Sequence, residues 1–271
     1  MNSAQIANSL GLIAYAITSI LYLLSFSKKF ATNKSLSVAF AAFCLSTAFE
    51  TTSLLIKQNG ISLIHDSGSI LAEVVGWLTI IAFFRYNMKT LGAFIAPLAT
   101  LMLLIQFYAS SPAPGTVDVS GYPRAFLSAH VLLAILGEAA AVAACGISGV
   151  YLRQRRLLKQ KLMDSLNLET PALDGLERLL MISLWTGFIF ITFSLLSGAF
   201  YSHLWGHSPF SQGVKTLWAI FVWSWYLIAL LSRLVFNVPI TRIAKMSFIG
   251  FLLLATTFFG IFTIPSKLGG M

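Results

Sequence analysis

Residues 126–151 read FLSAHVLLAILGEAAAVAACGISGVY. Glu138 is the single side chain in this stretch that carries a formal charge near neutral pH, with the histidine counted as neutral. A helix that crosses a bilayer needs about 20 mostly apolar residues, and this stretch is long enough. Arg153, Arg155 and Arg156 follow it directly, as basic residues do at a cytoplasmic membrane boundary. The stretch therefore predicts a spanning helix.

Similar apolar stretches occur along the whole chain. The 271 residues are 57% hydrophobic and 10% charged, whereas soluble domains are about a quarter charged. Both cysteines lie within apolar stretches, which argues against a disulfide framework. We therefore predict an all-α, polytopic integral membrane protein with about eight transmembrane helices in a single domain, 1–271. The predicted spans lie near 6–27, 36–56, 68–88, 91–109, 126–151, 179–202, 214–234 and 243–264.

Lysine and arginine are distributed unevenly between the two alternating sets of loops. Fourteen of the 18 fall on one side, and Lys57, Arg124, Lys215 and Lys267 fall on the other. Cytoplasmic loops carry the excess of Lys and Arg, so we expect both termini to face outward. The longest predicted cytoplasmic segment is the basic stretch 152–177. The net charge of +9 is explained by membrane insertion, so we expect no nucleic-acid partner.

All four histidines fall on the predicted outer side. Neutral imidazole is the usual axial ligand of haem iron, and haem held between two helix ends needs one imidazole from each. It also needs an aromatic wall and cations beside its propionates. Histidines at helix ends are also common surface groups, and tryptophans near a boundary are common anchors, so both readings stay open. The candidate iron ligands are His130 with His203 or alternatively His207, the wall is Trp205, Trp218 and Trp223, and the propionate partners are Arg124 and Lys215.

Two carboxyl side chains lie inside predicted spans. Glu50 is in the second span, and Glu138 lies two turns beyond His130 in the fifth. Carboxyl groups in hydrocarbon are costly and are candidates for function by default. They are interpreted either as part of a proton or cation path, or as protonated, hydrogen-bonded contacts between helices.

Four motifs in the second half of the chain occur in a familiar order. Ala129-His130-Val131-Leu132 opens a helix, Leu168–Arg178 contains a Pro-x-Leu-x-x-Leu-Glu-like segment, and Ser197–Tyr201 ends a helix. From about 125 to 264 the sequence resembles the membrane proteins of cytochrome c assembly, the CcsA/CcmC superfamily, and most closely its HemX/YpjD-like branch. The superfamily's tryptophan-rich haem-handling signature is matched in order by Trp205-Gly206, Lys215, Trp218-Ala219, Trp223 and Arg233.

This resemblance implies a haem-binding protein of the bacterial inner membrane that assists cytochrome c maturation or haem homeostasis. It implies non-covalent b-type haem as cofactor, haem iron as the single metal, and contacts with lipid and other cytochrome c maturation proteins. We expect no bond-making chemistry by the protein. Two alternatives are kept: a transporter of a cation or small solute that uses Glu50, Glu73 and Glu138, and a regulatory scaffold for a tetrapyrrole-pathway enzyme.

Overall fold

The computed structural model describes residues 3–25, 33–55, 66–109, 122–161, 172–204 and 214–263. Within these ranges the chain forms eight α-helices and one short 3₁₀ turn, with no strand. The predicted all-α membrane fold with about eight helices is confirmed. The helices are α1 (Ser3–Ser25), α2 (Asn33–Leu55), α3 (Ser67–Tyr86), α4 (Gly92–Ala109), α5 (Tyr122–Lys159), α6 (Leu173–Leu204), α7 (Val214–Phe236) and α8 (Ile240–Thr263).

The described helices have the length and surface of membrane spans. Five are long and apolar enough to cross a bilayer, namely those within 34–55, 67–86, 125–159, 173–201 and 216–236. Large apolar side chains cover the outside of the bundle; Phe84 is 79% exposed and Leu55 is 73% exposed. In water this surface would be unfavourable, whereas in a bilayer it contacts lipid. The chain is a multi-pass membrane protein.

Consecutive helices run antiparallel, and α5 lies in the middle of the bundle. It packs along α6 and α8 and also contacts α3 and α4. Its central residues are small and buried, which lets neighbouring helices approach closely. The antiparallel arrangement brings the start of α5, the end of α6 and the start of α7 to one end of the bundle. The described basic residues of α2, α3 and α8 lie at the other end, as the loop counting predicts.

Two asparagines form the tight connections at the basic end. Asn87 follows α3 with φ 52° and donates its backbone N–H to the Phe83 carbonyl oxygen at 2.7 Å. Asn237 connects α7 to α8 with φ 48°. Asparagine tolerates this left-handed conformation better than most side chains. Both turns therefore reverse the chain within a few residues.

The structure differs from the sequence prediction at the segment 152–177. No break follows residue 151: α5 continues to Lys159, and α6 begins at Leu173, so both helices extend beyond the predicted membrane spans into the segment 152–177. At about 1.5 Å per residue, the 38 residues of α5 span about 57 Å, well beyond the bilayer core of about 30 Å. Arginine and lysine are good helix formers, so the helix has no reason to stop at the membrane boundary. Residues 162–171 lie outside the described ranges.

Candidate functional site

His130 lies at the contact between α5 and α6. Its Nδ1 atom is 2.8 Å from the backbone carbonyl oxygen of Ser194. A carbonyl oxygen can only accept, so Nδ1 carries the hydrogen and donates it. In the neutral imidazole the lone pair is then on Nε2, the arrangement found when a histidine binds a metal and its other nitrogen is fixed by a backbone carbonyl. The ring is partly buried.

Three small residues of α6 form the surface against which this ring packs. The hydroxyl groups of Ser194 and Ser197 lie 3.3 Å and 3.4 Å from Nδ1. Gly198 faces the ring directly, because a Cβ atom added there would lie 2.9 Å from Cε1 of His130. Residues 194, 197 and 198 share one face of α6, since they are spaced at i, i+3 and i+4. This face fixes the position and tautomer of the imidazole.

His203 lies on a different face of the same helix. It is exposed and belongs to the last turn of α6. Nine residues separate it from Ser194, which corresponds to a rotation of about half a turn at 3.6 residues per turn. The side of α6 that carries His203 is thus opposite to the side that contacts His130. The structure brings both histidines to the same end of the bundle but does not bring them together.

Trp223 of α7 contacts the side of α6 on which His203 lies. Its indole Nε1 donates a hydrogen bond to the Thr192 hydroxyl at 2.9 Å. Its ring stacks on Phe188, with 5.6 Å between the centroids and 26° between the planes. Thr192 and Phe188 are on the same helix face as His203, by the same periodicity. Of the three predicted wall residues, Trp223 therefore contacts this side of α6, which also carries the exposed His203 at its end.

Trp218 points in another direction. Its indole nitrogen donates to the Leu253 carbonyl oxygen of α8 at 3.3 Å, and its ring lies beside Phe221. Trp225 lies about two turns further along α7. Its indole nitrogen likewise donates a hydrogen bond to the Met246 carbonyl oxygen of α8. The tryptophans of α7 therefore divide between α6 and α8.

Four predicted site residues are not described at the side-chain level. Trp205 and His207 lie in the segment 205–213, outside the described residues. Arg124 and Lys215 belong to the first turns of α5 and α7, at the same end of the bundle as His130. Their predicted roles beside the propionates stay predictions.

The chain was compared with known protein families, curated proteins and solved structures. The family model described as "Cytochrome C assembly protein" matches residues 63–267, which is most of the chain. The chain belongs to the cytochrome c assembly protein family. No curated protein and no solved structure matches. The family resemblance predicted from the sequence is confirmed, and membership supports a role in cytochrome c maturation.

The residues around His130 fit one side of a haem site of such a cytochrome c assembly protein. No described residue donates to the Nε2 lone pair, the Ser194 carbonyl group holds the opposite nitrogen, and Gly198 leaves space beside the ring. Among the described residues, no cluster of three or more His, Cys, Asp or Glu side chains suits another metal ion. A single imidazole with a second ligand from elsewhere is what bis-histidine haem requires of this part of the chain.

Some residues of this assembly-protein site were not predicted as such from the sequence. Ser194 acts through its backbone carbonyl, which no side-chain pattern reveals. Thr192 and Phe188 lie in an apolar stretch without a polar or charged marker. The signal that was available is the small-residue pattern at 194, 197 and 198, which predicts a close neighbour on that face.

Glu50 and Glu138 lie apart from His130 and from each other. Glu138 lies on α5, eight residues from His130. Glu50 is fully buried on α2 and belongs to the other half of the bundle. A groove of about 570 Å³ between α1 and α2 is lined by small and apolar side chains, including Ala14, Ala42 and Leu45. It is open towards the lipid side and distant from His130, so we assign it no part in this site.

Proposed function

We propose that this protein binds haem near the outer face of the inner membrane and handles it during cytochrome c maturation, with His130 as an axial ligand of the iron. The single observation that supports this most directly is the hydrogen bond from Nδ1 of His130 to the Ser194 carbonyl oxygen at 2.8 Å. It orients the ring and keeps the Nε2 lone pair available. Family membership supports the role in maturation, and the histidine geometry supports the haem.

The second axial ligand is His203 or His207. His203 is on the opposite side of α6 from His130, so a flat porphyrin between the two would have to pass around the end of that helix. This geometry favours His207, which follows the end of α6. His203 lies on the same side of α6 as Thr192, to which Trp223 donates, but 11 residues or about 16 Å further along the helix.

The remaining site residues have supporting roles in this proposal. Trp205 supplies aromatic surface at the bundle end, and Arg124 and Lys215 neutralise the propionates there. Trp218 packs against α8 and Trp223 against the side of α6 opposite His130, so neither is expected to touch the haem. Bound b-type haem supplies an iron centre that can be carried or presented to a partner protein. The chain itself binds, orients and shields the group, and no bond is made or broken by its side chains.

The test is a haem titration of the purified protein in detergent, followed by the Soret absorbance. We expect one haem per chain for the wild type, and at least about tenfold weaker binding, or about 1.4 kcal/mol, for His130→Ala. His207→Ala should weaken binding similarly, whereas His203→Ala serves as the matched control and should bind as the wild type does. A wild type that shows no Soret band after loading contradicts the haem part of the proposal. Equal loss in His203→Ala and none in His207→Ala would reverse the choice of second ligand.

A further inference from the structure

Two buried carboxyl groups face the contact between α2 and α3. Glu50 is 0% exposed, and Glu73 is 6% exposed. Thr47 of α2 and Gly76 of α3 are in contact, and Glu50 lies one turn after Thr47 while Glu73 lies one turn before Gly76, so the two carboxyl groups are on neighbouring turns of the two helices. Among the described residues of α2 and α3, the basic side chains of Lys34 and Arg85 lie at the other ends, about 24 Å and 18 Å along the helices at about 1.5 Å per residue. Lys57, between the two helices, lies outside the described residues. Two negative charges here would need a partner of opposite charge.

Four oxygen atoms at this contact have no hydrogen-bond partner among the residues that the structure describes. They are both carboxyl oxygens of Glu50, Oε1 of Glu73 and the hydroxyl oxygen of Ser69. Ser69 lies one turn before Glu73 on α3, and its side chain lies close to the Glu50 carboxyl group. Buried polar atoms are nearly always bonded, so several orphaned oxygens in one place require an explanation.

The surroundings hold these oxygens in position without satisfying them. Thr51 donates its hydroxyl hydrogen to Oε2 of Glu73, and the Thr51 oxygen accepts a hydrogen bond from the Trp77 indole at 3.1 Å. On the other side, Gly11 of α1 is pressed against Glu50, because a Cβ atom added to Gly11 would lie 1.8 Å from Glu50 Oε2. Three helices thus fix the two carboxyl groups.

We propose that Glu50, Glu73 and Ser69 form a binding site for a small alkali cation, namely Na⁺. Oxygen atoms alone, without a histidine or cysteine, are the ligands that hard cations prefer. One Na⁺ balances one carboxylate, and a proton on the other carboxyl group balances the second.

This site is independent of the proposed haem site. Gly11 and Glu50 lie before residue 63, where the match to the cytochrome c assembly family begins, and Glu73 and Ser69 lie within it. A bound cation would therefore connect the first two helices to the family's own part of the fold. Its loss is expected to loosen α1 and α2 while haem binding at His130 is retained.

The experiment is thermal unfolding in detergent, followed with a thiol-reactive fluorophore. Cys145 is 2% exposed and becomes reactive on unfolding. Chlorides of Na⁺, K⁺ and Ca²⁺ are compared with choline chloride at constant ionic strength. For the wild type we expect a saturable rise of about 5 °C in Tm at a hundredfold excess of Na⁺ over its Kd. Glu50→Gln and Glu73→Gln should lose the rise, and Glu138→Gln, which changes a partly buried carboxyl group on α5, should keep it.

A further variant tests the geometry without altering any charge. Gly11→Ala places a methyl group where Oε2 of Glu50 now lies and should also abolish the Na⁺ response. A wild type with the same Tm in all four chlorides overturns the proposal, whatever the variants do. A rise that persists in both Gln variants, or a rise with Ca²⁺ alone, also overturns it. The Soret titration of the wild type is unaffected by any of these results, so the failure of one proposal is distinguishable from the failure of the other.

Discussion

At the scale of single residues, the position of the His130 ring depends on the absence of a side chain at 198. A methyl group in Gly198→Ala would lie 2.9 Å from Cε1 and 3.1 Å from Nδ1 of His130. The ring must rotate or move, and its bond to the Ser194 carbonyl oxygen is weakened. We expect haem affinity, measured by Soret titration, to fall about tenfold, which corresponds to about 1.4 kcal/mol.

The matched control for this change is Gly187→Ala. It lies on the same helix and also faces α5, but its added Cβ would lie 3.3 Å or more from its neighbours and far from the imidazole. It should bind haem as the wild type does. If both variants bind haem normally, the α6 surface does not position the ligand, and the argument from the hydrogen bond to Ser194 is lost.

At the scale of helices, α5 and α6 are in close contact where Gly137 and Gly187 face each other. A Cβ atom in Gly137→Ala would lie 2.7 Å from Cγ1 of Ile191 and 3.0 Å from its backbone nitrogen. A side chain can rotate away, but a backbone nitrogen moves only with its helix, so the two helices must separate. We expect a loss of about 1–3 kcal/mol in the free energy of unfolding. Gly187→Ala at the same crossing should cost less, and equal Tm values for the two variants would contradict this geometry.

The contact between α6 and α7 gives a second prediction at this scale. Trp223→Phe removes the indole N–H that donates to Thr192 but keeps an aromatic ring to stack on Phe188. Hydrogen bonds between membrane helices contribute about 0.6 kcal/mol on average. In a double-mutant cycle with Thr192→Val, monitored by thermal unfolding, we expect a coupling energy of about that size. Strictly additive effects would mean that the hydrogen bond contributes nothing to the α6–α7 contact.

At the scale of the whole molecule, the sequence predicts positions along the chain well and directions around a helix poorly. The eight helices are visible because each apolar stretch must be long enough to cross the bilayer, and charges separate the stretches. The thickness of the bilayer does not determine where α5 ends, since arginine residues allow a helix to continue into water. His130 and His203 are both at one end of the bundle, as predicted. However, the face of α6 that carries His203 is half a turn away from the face that contacts His130. That rotation depends on which face of α6 packs against α5, which small residues such as Ser194 and Gly198 decide.

The distribution of basic residues predicts the orientation of the bundle in the membrane. Fourteen of the 18 lysines and arginines belong to one set of loops, and the extended basic end of α5 projects beyond the bilayer on that side. The cytoplasmic side retains such charges, so residue 161 should be cytoplasmic and residue 271 external. A green fluorescent protein fused after residue 161 should fluoresce, and alkaline phosphatase fused after residue 271 should be active. Exchanging the two reporters is the control and should abolish both signals. Fluorescence from the fusion at 271 would put His130 at the cytoplasmic face, and haem would then have to be received from inside the cell.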